Sequence, residues 1–344
     1  MLTRKHDKID RKVSTTTPAM SSLLSIKSFR GKVLSPLVFC LAILQVSCGG
    51  SPWNDPYPDQ DDKQSVLYMS FAERPKHLDP AVAYSENEYA FIAQIYEPPL
   101  QYHYLKRPYQ LIPLAAVRLP EIIYYDKQGA KLGPDAEAKD IAFSDYLLEI
   151  KAGVRYQPHP AFAQDKEGHY RYHRLDKHVV DSLATLNDFA ETGSRELNAE
   201  DYVYQIKRLA YPKTQSPIAE IMKNYIVGFD EFAKQSAGKS KAALRALPMA
   251  GVEVLDRYRY RIRIKGKYPQ FSYWLAMPFF APMPWEADAF YGQPGFSEKN
   301  ITLDWYPVGT GPFFLAENNP NRRMMLVKNP NFHIETYPVE GETG

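Results

Sequence analysis

A short apolar run near the amino terminus, Val33–Val46, most constrains where this chain can fold. Its 14 residues fall short of the roughly 20 that a membrane-spanning helix needs. The run follows a basic segment, because residues 1–47 carry eight Lys or Arg side chains against two Asp, a net charge of +6. A basic start followed by a short apolar run is typical of a secretory signal peptide. The rest of the chain is therefore expected to fold outside the cytoplasm.

Cys48 follows this run and predicts a lipid anchor. The sequence Gln45-Val46-Ser47-Cys48 resembles the lipobox, which directs cleavage before the cysteine and its lipidation, although Gln45 stands where Leu is usual. An ordinary secretory signal with a chance cysteine is the alternative. With residues 1–47 as the signal peptide, Cys40 leaves and Cys48 is diacylated, so no disulfide is expected. Two acyl chains are enough for stable membrane attachment.

The segment after the cleavage site differs in charge and composition. Subtracting the +6 of residues 1–47 from the whole-chain net charge of +2 leaves −4, which disfavours a nucleic-acid partner. Residues 48–64 are rich in Pro, Gly and Asp and are predicted to form a solvated tether. Four Asp residues in this tether suggest a calcium loop, but the EF-hand spacing and its central Gly are absent.

Hydrophobic periodicity in the rest of the chain predicts an α/β body. Val66–Phe71 is a nearly continuous apolar run, which favours a strand covered on both faces. Apolar residues at helical spacing predict a helix over Glu86–Tyr96, which Pro98 would stop. Further predicted elements are a strand at Tyr146–Lys151, a helix from the N-cap Asn198 to near Pro212, an alternating strand at residues 257–265 and a strand at Met324–Val327.

The alternating strand at residues 257–265 carries Arg and Lys on one face and Tyr and Ile on the other. Interleaved Arg and Tyr can bind nucleic acid, because cations pair with phosphates and rings stack on bases. Since the body is exported and net negative, a solvated sheet face is the favoured interpretation.

Motifs of catalysis are absent from the sequence, which contains no Gly-x-Ser-x-Gly, His-Glu-x-x-His or Walker motif. The strongest candidate for chemistry is a histidine group made of His159, His169, His173 and His178. If residues 170–172 form a strand, His169 and His173 stand about 13 Å apart at 3.3 Å per residue, too far to share one ion. We therefore predict no catalytic residue, no metal site and no cofactor.

Tyrosine is unusually abundant, with 25 Tyr beside 17 Phe and 4 Trp. Tyr combines an apolar ring with a hydrogen-bonding hydroxyl, which suits clefts that hold polar, extended ligands. A Tyr-rich core and rim is the alternative.

Seven short motifs, taken in order along the chain, resemble family 5 of the bacterial extracellular solute-binding proteins, which includes peptide- and nickel-binding components of ABC importers. They are Leu78-Asp79-Pro80, Ile95-Tyr-Glu-Pro-Pro-Leu100, Ile150-Lys-Ala-Gly-Val-Arg-Tyr156, Leu197-Asn-Ala-Glu-Asp-Tyr-Val-Tyr-Gln-Ile-Lys-Arg208, Gly251-Val-Glu-Val-Leu-Asp256, Val308-Gly-Thr-Gly-Pro312 and Lys328-Asn-Pro-Asn-Phe332. Each motif alone is weak, but their common order behind a lipoprotein signal is specific.

The resemblance implies a two-lobed α/β fold of the class II periplasmic-binding-protein type. Residues 65–105 and 266–344 would form the first lobe, and residues 106–265 an extra subdomain. The second lobe normally follows the last residue of this chain and is expected to be missing. Residues 164–196 form an insertion relative to the family, and Phe332-His333 stands where the family often has Tyr-Trp.

The resemblance also implies a function. Ligand contacts of the first lobe map to Tyr84, Ser85, Phe332 and His333. The protein is expected to be a periplasmic, membrane-anchored monomer that captures di- or oligopeptides without catalysis for an ABC permease in the inner membrane. Alternatives are a lipid-anchored structural or assembly protein that kept the fold but no longer serves transport, and a periplasmic hydrolase.

Overall fold

A computed structural model describes residues 65–319 and 321–341. The chain divides into two units, Met1–Met69 and Ser70–Gly344, and every helix and strand described below belongs to the second. The predicted signal peptide, Cys48 and the tether to residue 64 lie outside the described residues. Within the described part of the chain, no helix is both long and apolar enough to cross a membrane.

The body contains helices and antiparallel strands. The helices are α1 (Glu86–Ile95), α2 (Lys177–Ser182), α3 (Ala199–Ala210), α4 (Ala219–Tyr225), α5 (Phe229–Ser236), α6 (Phe271–Trp274) and α7 (Trp285–Tyr291). The strands are β1 (Leu100–Tyr102), β2 (Leu111–Pro113), β3 (Glu121–Tyr125), β4 (Lys131–Leu132), β5 (Phe143–Glu149), β6 (Val252–Val254), β7 (Arg259–Lys265), β8 (Phe313–Asn319) and β9 (Arg323–Lys328). Short 3₁₀ turns lie at Pro160–Phe162, Leu186–Asp188, Pro212–Thr214, Lys241–Leu244, Pro278–Phe280 and Ser297–Lys299.

The largest sheet has five antiparallel strands in the order β4-β3-β5-β7-β6. All of its strands lie within residues 106–265, the range expected to form the extra subdomain. The hairpins β1-β2 and β8-β9 form two separate two-stranded sheets. The loop of the β1-β2 hairpin contains the expected boundary at residue 105.

Strand β7 confirms the predicted alternation. Tyr260, Ile262 and Ile264 are buried. Arg263 lies opposite Asp145 in the sheet register, and its Nε donates to Asp145 Oδ1 at 2.6 Å. Because a neighbouring strand supplies this acid, Arg263 is already paired within the sheet, which favours the solvated-face interpretation over a phosphate-binding one.

Helix α3 is central to the body and begins at the predicted N-cap. The Asn198 side chain accepts a hydrogen bond from the Glu200 amide at 2.9 Å, and the Asp201 carboxylate accepts one from the Asn198 amide at 3.1 Å. Each bond satisfies a backbone donor at the helix start. The Tyr202 ring stacks on Tyr260 of β7 with 5.2 Å between centroids, so α3 packs directly on the large sheet.

The predicted strand at Val66–Phe71 is wrong. These residues are irregular and exposed, with Leu67 84% exposed, and no strand pairing involves them within the described residues. An apolar run forms a strand only where a neighbour completes its backbone hydrogen bonds, and the run alone does not specify that neighbour. The predicted α/β class is confirmed, as a mixed fold of helices packed on antiparallel sheets. The class does not depend on the buried central strand that was predicted at Val66–Phe71.

The predicted insertion at residues 164–196 packs on helix α7. Phe189 meets Phe290 edge-on with 5.0 Å between ring centroids. Near its end, Arg195 donates through Nε to Glu286 Oε1 at 2.6 Å. The insertion is therefore held by apolar packing and by a buried carboxylate of the same helix.

Candidate functional site

Six tyrosines, three of them in the β1-β2 hairpin, form a partly exposed aromatic surface around that hairpin, here called the tyrosine surface. Its members, 40% to 64% exposed, are Tyr89, Tyr102, Tyr104, Tyr109, Tyr273 and Tyr337. Leu100 at the start of β1 is buried, whereas Tyr102 and Tyr104 further along the chain are exposed. The hairpin thus places aromatic rings with polar tips on one face.

Direct ring contacts connect five of these tyrosines. Tyr102 meets Tyr109 at 5.7 Å and Tyr273 at 6.2 Å between centroids. Tyr104 meets Tyr337 of the carboxyl-terminal segment at 5.2 Å. Partial burial raises the pKa of Tyr102 and of Tyr104. The hydroxyls of Tyr102 and Tyr104 therefore stay protonated at neutral pH and can both donate and accept hydrogen bonds.

A groove of about 510 Å³ lies beside the tyrosine surface. It is lined by Tyr109, Gln110, Leu111, Leu119, Pro269, Gln270, Ser272 and Tyr273. The described residues that line it are uncharged, and Gln110, Gln270 and Ser272 supply amide and hydroxyl groups. Such a lining matches neutral hydrogen-bonding groups, for example the amides of a peptide backbone.

Phe332 and His333 belong to the carboxyl-terminal segment that also carries Tyr337, and this places them near the tyrosine surface. The His333 Nε2 lies 2.8 Å from Glu97 Oε1, and the Phe332 ring packs on the His333 ring at 4.6 Å. The hydrogen bond to Glu97 raises the pKa of His333 above its ordinary value. Gln101 donates to Glu335 at 2.7 Å, which fixes the same segment along β1.

Tyr84 and Ser85 lie at the other end of helix α1. Ser85 is the N-cap of α1 and forms a capping box with Glu88. Tyr84 is 75% exposed and is held through its backbone amide, which donates to Glu88 Oε2 at 2.9 Å. Since ten helical residues rise roughly 15 Å, the structure does not bring this pair together with Phe332 and His333 near Glu97. Ser85 has a capping role in the described structure.

Two of the sequence motifs meet at a buried ion cluster. Arg208, which ends the Leu197–Arg208 motif, donates to Asp79 of the Leu-Asp-Pro motif at 2.6 Å and to Asp288 at 2.7 Å. All three side chains are buried. Burial alone would raise the pKa of Asp79, but attraction to Arg208 outweighs it and leaves the pKa lowered.

Three further motifs meet at the end of helix α1. The Gly311 amide donates to the Ile95 carbonyl at 2.8 Å, and a Cβ placed on Gly309 would overlap that same carbonyl oxygen. Asn329 closes the contact by donating through Nδ2 to the Gly311 carbonyl at 2.9 Å. Glycine is required at residue 309 because backbone, rather than a flexible side chain, fills the space.

The histidine group does not form a metal centre. His159 is buried, and its Nε2 lies 2.8 Å from the Tyr291 hydroxyl. Burial lowers the pKa of His159 to about 3, so the ring is neutral. His169 is exposed beside Asp165 at 3.4 Å. Within the described residues, no group of three or more His, Cys, Asp and Glu side chains could hold a metal.

Sequence comparison finds a family whose profile matches part of this chain. Residues 192–341 match the profile of the bacterial extracellular solute-binding proteins, family 5 middle region. The periplasmic oligopeptide-binding protein OppA of Salmonella typhimurium is 29% identical over 137 residues, which cover 40% of this chain and 23% of that relative. The chain thus spans about a quarter of the length of this curated relative.

Solved structures with similar backbones include two proteins bound to peptides. DppA of Helicobacter pylori in complex with the peptide STSA is 18% identical with a TM-score of 0.48, covering 77% of this chain and 39% of that one. OppA of Listeria monocytogenes bound to peptide is 15% identical with a TM-score of 0.45, covering 76% and 38%. Over residues 192–341, this chain is therefore similar in sequence to the middle region of the bacterial extracellular solute-binding proteins, family 5.

Proposed function

We propose that the tyrosine surface and its uncharged groove capture a peptide without catalysis. The observation that carries this proposal is the position of six partly exposed tyrosines beside a groove of about 510 Å³ whose described lining is uncharged. Tyr rings give apolar contact area at low entropic cost, and their hydroxyls bind polar backbone groups. An extended peptide presents both features without requiring a fixed charge.

The family context supports the same class of ligand. The Salmonella relative is an oligopeptide-binding protein by name. A binding role also agrees with the description of the family as solute-binding proteins. Peptides are therefore the first ligands to test on this chain.

We further propose the cellular setting that the sequence predicts. A signal peptide over residues 1–47 directs export, and lipidation at Cys48 anchors a monomer to a membrane in the periplasm, with residues 48–64 as its tether. The captured peptide passes to an ABC permease of the inner membrane. Residues 65–105 and 266–344 act as the first lobe, with residues 106–265 as its subdomain. Tyr84, Ser85, Phe332 and His333 remain proposed ligand contacts.

Calorimetric titration of the full chain with trialanine tests the proposal, with maltotriose as a neutral ligand of another class. Each ring that contacts the peptide contributes about 0.5–1.5 kcal/mol, so Tyr104→Ala is expected to weaken trialanine binding about 2- to 12-fold. Leu255→Ala, at an exposed apolar side chain outside the tyrosine surface, is the matched control. The proposal fails if trialanine does not bind, or if Tyr104→Ala leaves its affinity unchanged.

A further inference from the structure

A second groove, of about 330 Å³, lies on the body next to helix α3. It is lined by Glu200, Val203, Tyr204, Lys207, Arg245, Pro248, Met249, Val252 and Val254. Most of this lining is apolar, and Val203, Met249 and Val252 are buried. A volume near the lower end of the usual range for ligand sites fits a small molecule.

Lys207 places a buried ammonium group in this groove. Lys207 is only 8% exposed, and its Nζ donates to the Arg245 carbonyl oxygen at 2.9 Å. Among the described residues, two basic side chains are buried, Lys207 and Arg208. Arg208 has two carboxylate partners. No carboxylate of the described residues lies within ion-pair distance of Lys207. A buried ammonium without a counterion is costly.

The other charged groups of the groove neutralise each other. The Arg245 guanidinium donates to both Glu200 oxygens, at 2.5 Å from Nε and 2.9 Å from Nη2. The same guanidinium covers the Trp285 ring at 4.8 Å from its centroid, which fixes its position. The groove therefore keeps one uncompensated positive charge, at Lys207, among apolar side chains. Burial lowers the pKa of Lys207, and the more distant attraction of Glu200, which is already paired with Arg245, does not offset it.

We infer that this groove is a binding site for a small apolar monocarboxylate, whose carboxylate pairs with the Lys207 ammonium while its aliphatic part contacts Val203, Met249 and Val252. Charge complementarity selects one negative charge, because Glu200 and Arg245 already form a neutral pair. The site is separate from the tyrosine surface and does not depend on the peptide-binding proposal.

The test uses 4-methylpentanoate and its neutral isostere 4-methylpentanamide, followed through the methyl resonance of Met249 in the full chain. The acid is expected to shift this resonance saturably, and the amide to bind at least tenfold more weakly. Lys207→Met is expected to abolish the preference for the acid. Lys213→Met, at an exposed lysine outside the groove, is expected to keep it.

Two results would overturn the inference: no saturable shift with the acid, or equal affinity for acid and amide in the unmodified chain. Because this comparison needs no variant, it stands even if Lys207→Met fails to fold. Acetyl-Gly-Leu and its amide then distinguish the source of the carboxylate. Tighter binding of acetyl-Gly-Leu than of 4-methylpentanoate assigns the site to peptide carboxyl termini, and the reverse assigns it to free aliphatic acids.

Discussion

Removing Arg208 tests the buried ion cluster that joins two of the sequence motifs. The guanidinium donates to Asp79 at 2.6 Å and to Asp288 at 2.7 Å, and all three side chains are buried. Arg208→Met leaves two buried carboxylates with Lys241, 3.3 Å from Asp288, as the remaining cation. Breaking a buried pair in this way costs about 3–5 kcal/mol. At about 2–4 °C per kcal/mol for a domain approaching this size, the melting temperature should fall by about 6–20 °C.

Differential scanning calorimetry at several pH values measures this effect. Burial alone would raise the pKa of Asp288, but attraction to Arg208 and Lys241 lowers it to about 2. A lowered folded-state pKa contributes stability above the unfolded value, about 3.8, that is lost as the pH falls toward 2. The difference in melting temperature between wild type and Arg208→Met should thus be largest near neutral pH and become smaller in acid. Arg259→Met, which breaks an exposed pair with Asp256, should leave the melting temperature nearly unchanged, because solvent screens such a pair. Equal melting temperatures for wild type and Arg208→Met at pH 7 would refute the reasoning.

Two further predictions concern helix α1 and the segment after it. Gly309→Ala should lower the free energy of unfolding by about 1–3 kcal/mol, because its Cβ would overlap the Ile95 carbonyl oxygen. Gly133→Ala has open space around its Cβ and should change it by less than about 0.5 kcal/mol, so equal urea midpoints for the two variants would contradict this reading. In an NMR titration, the pKa of His333 should lie above 6.5 and fall in Glu97→Gln. The stability that this pair contributes should be complete below pH 6.5 and decline as the pH rises through the folded-state pKa, and a His333 pKa at or below 6.5 would contradict it.

Elements with strong local signals were predictable from the sequence. Strand β7 alternates with a period of two over seven residues, and α3 begins at an N-cap and carries apolar residues at helical spacing. Val66–Phe71 has only a nearly continuous apolar run, which does not specify a pairing partner. The strand prediction therefore failed there, because strand formation depends on a neighbouring strand that the local sequence does not specify.

The candidate site was only partly predictable, because its parts are distant in sequence. The abundance of tyrosine suggested a ligand surface, but Tyr102, Tyr273 and Tyr337 come from three segments that only the fold brings together. Nothing in the sequence singled out Lys207 as a candidate binding residue, because helical spacing does not reveal which charged side chains are already paired in the fold.

Assigned NMR spectra of the tyrosine rings during titration with trialanine test the central claim most directly. The account predicts saturable shifts at the tyrosine surface, largest at Tyr102, Tyr104 and Tyr273, with Tyr204 beside the second groove unchanged. Shifts at Tyr84 would add the proposed contact at the start of α1. No saturable shift at any ring of the tyrosine surface would contradict peptide capture by this chain.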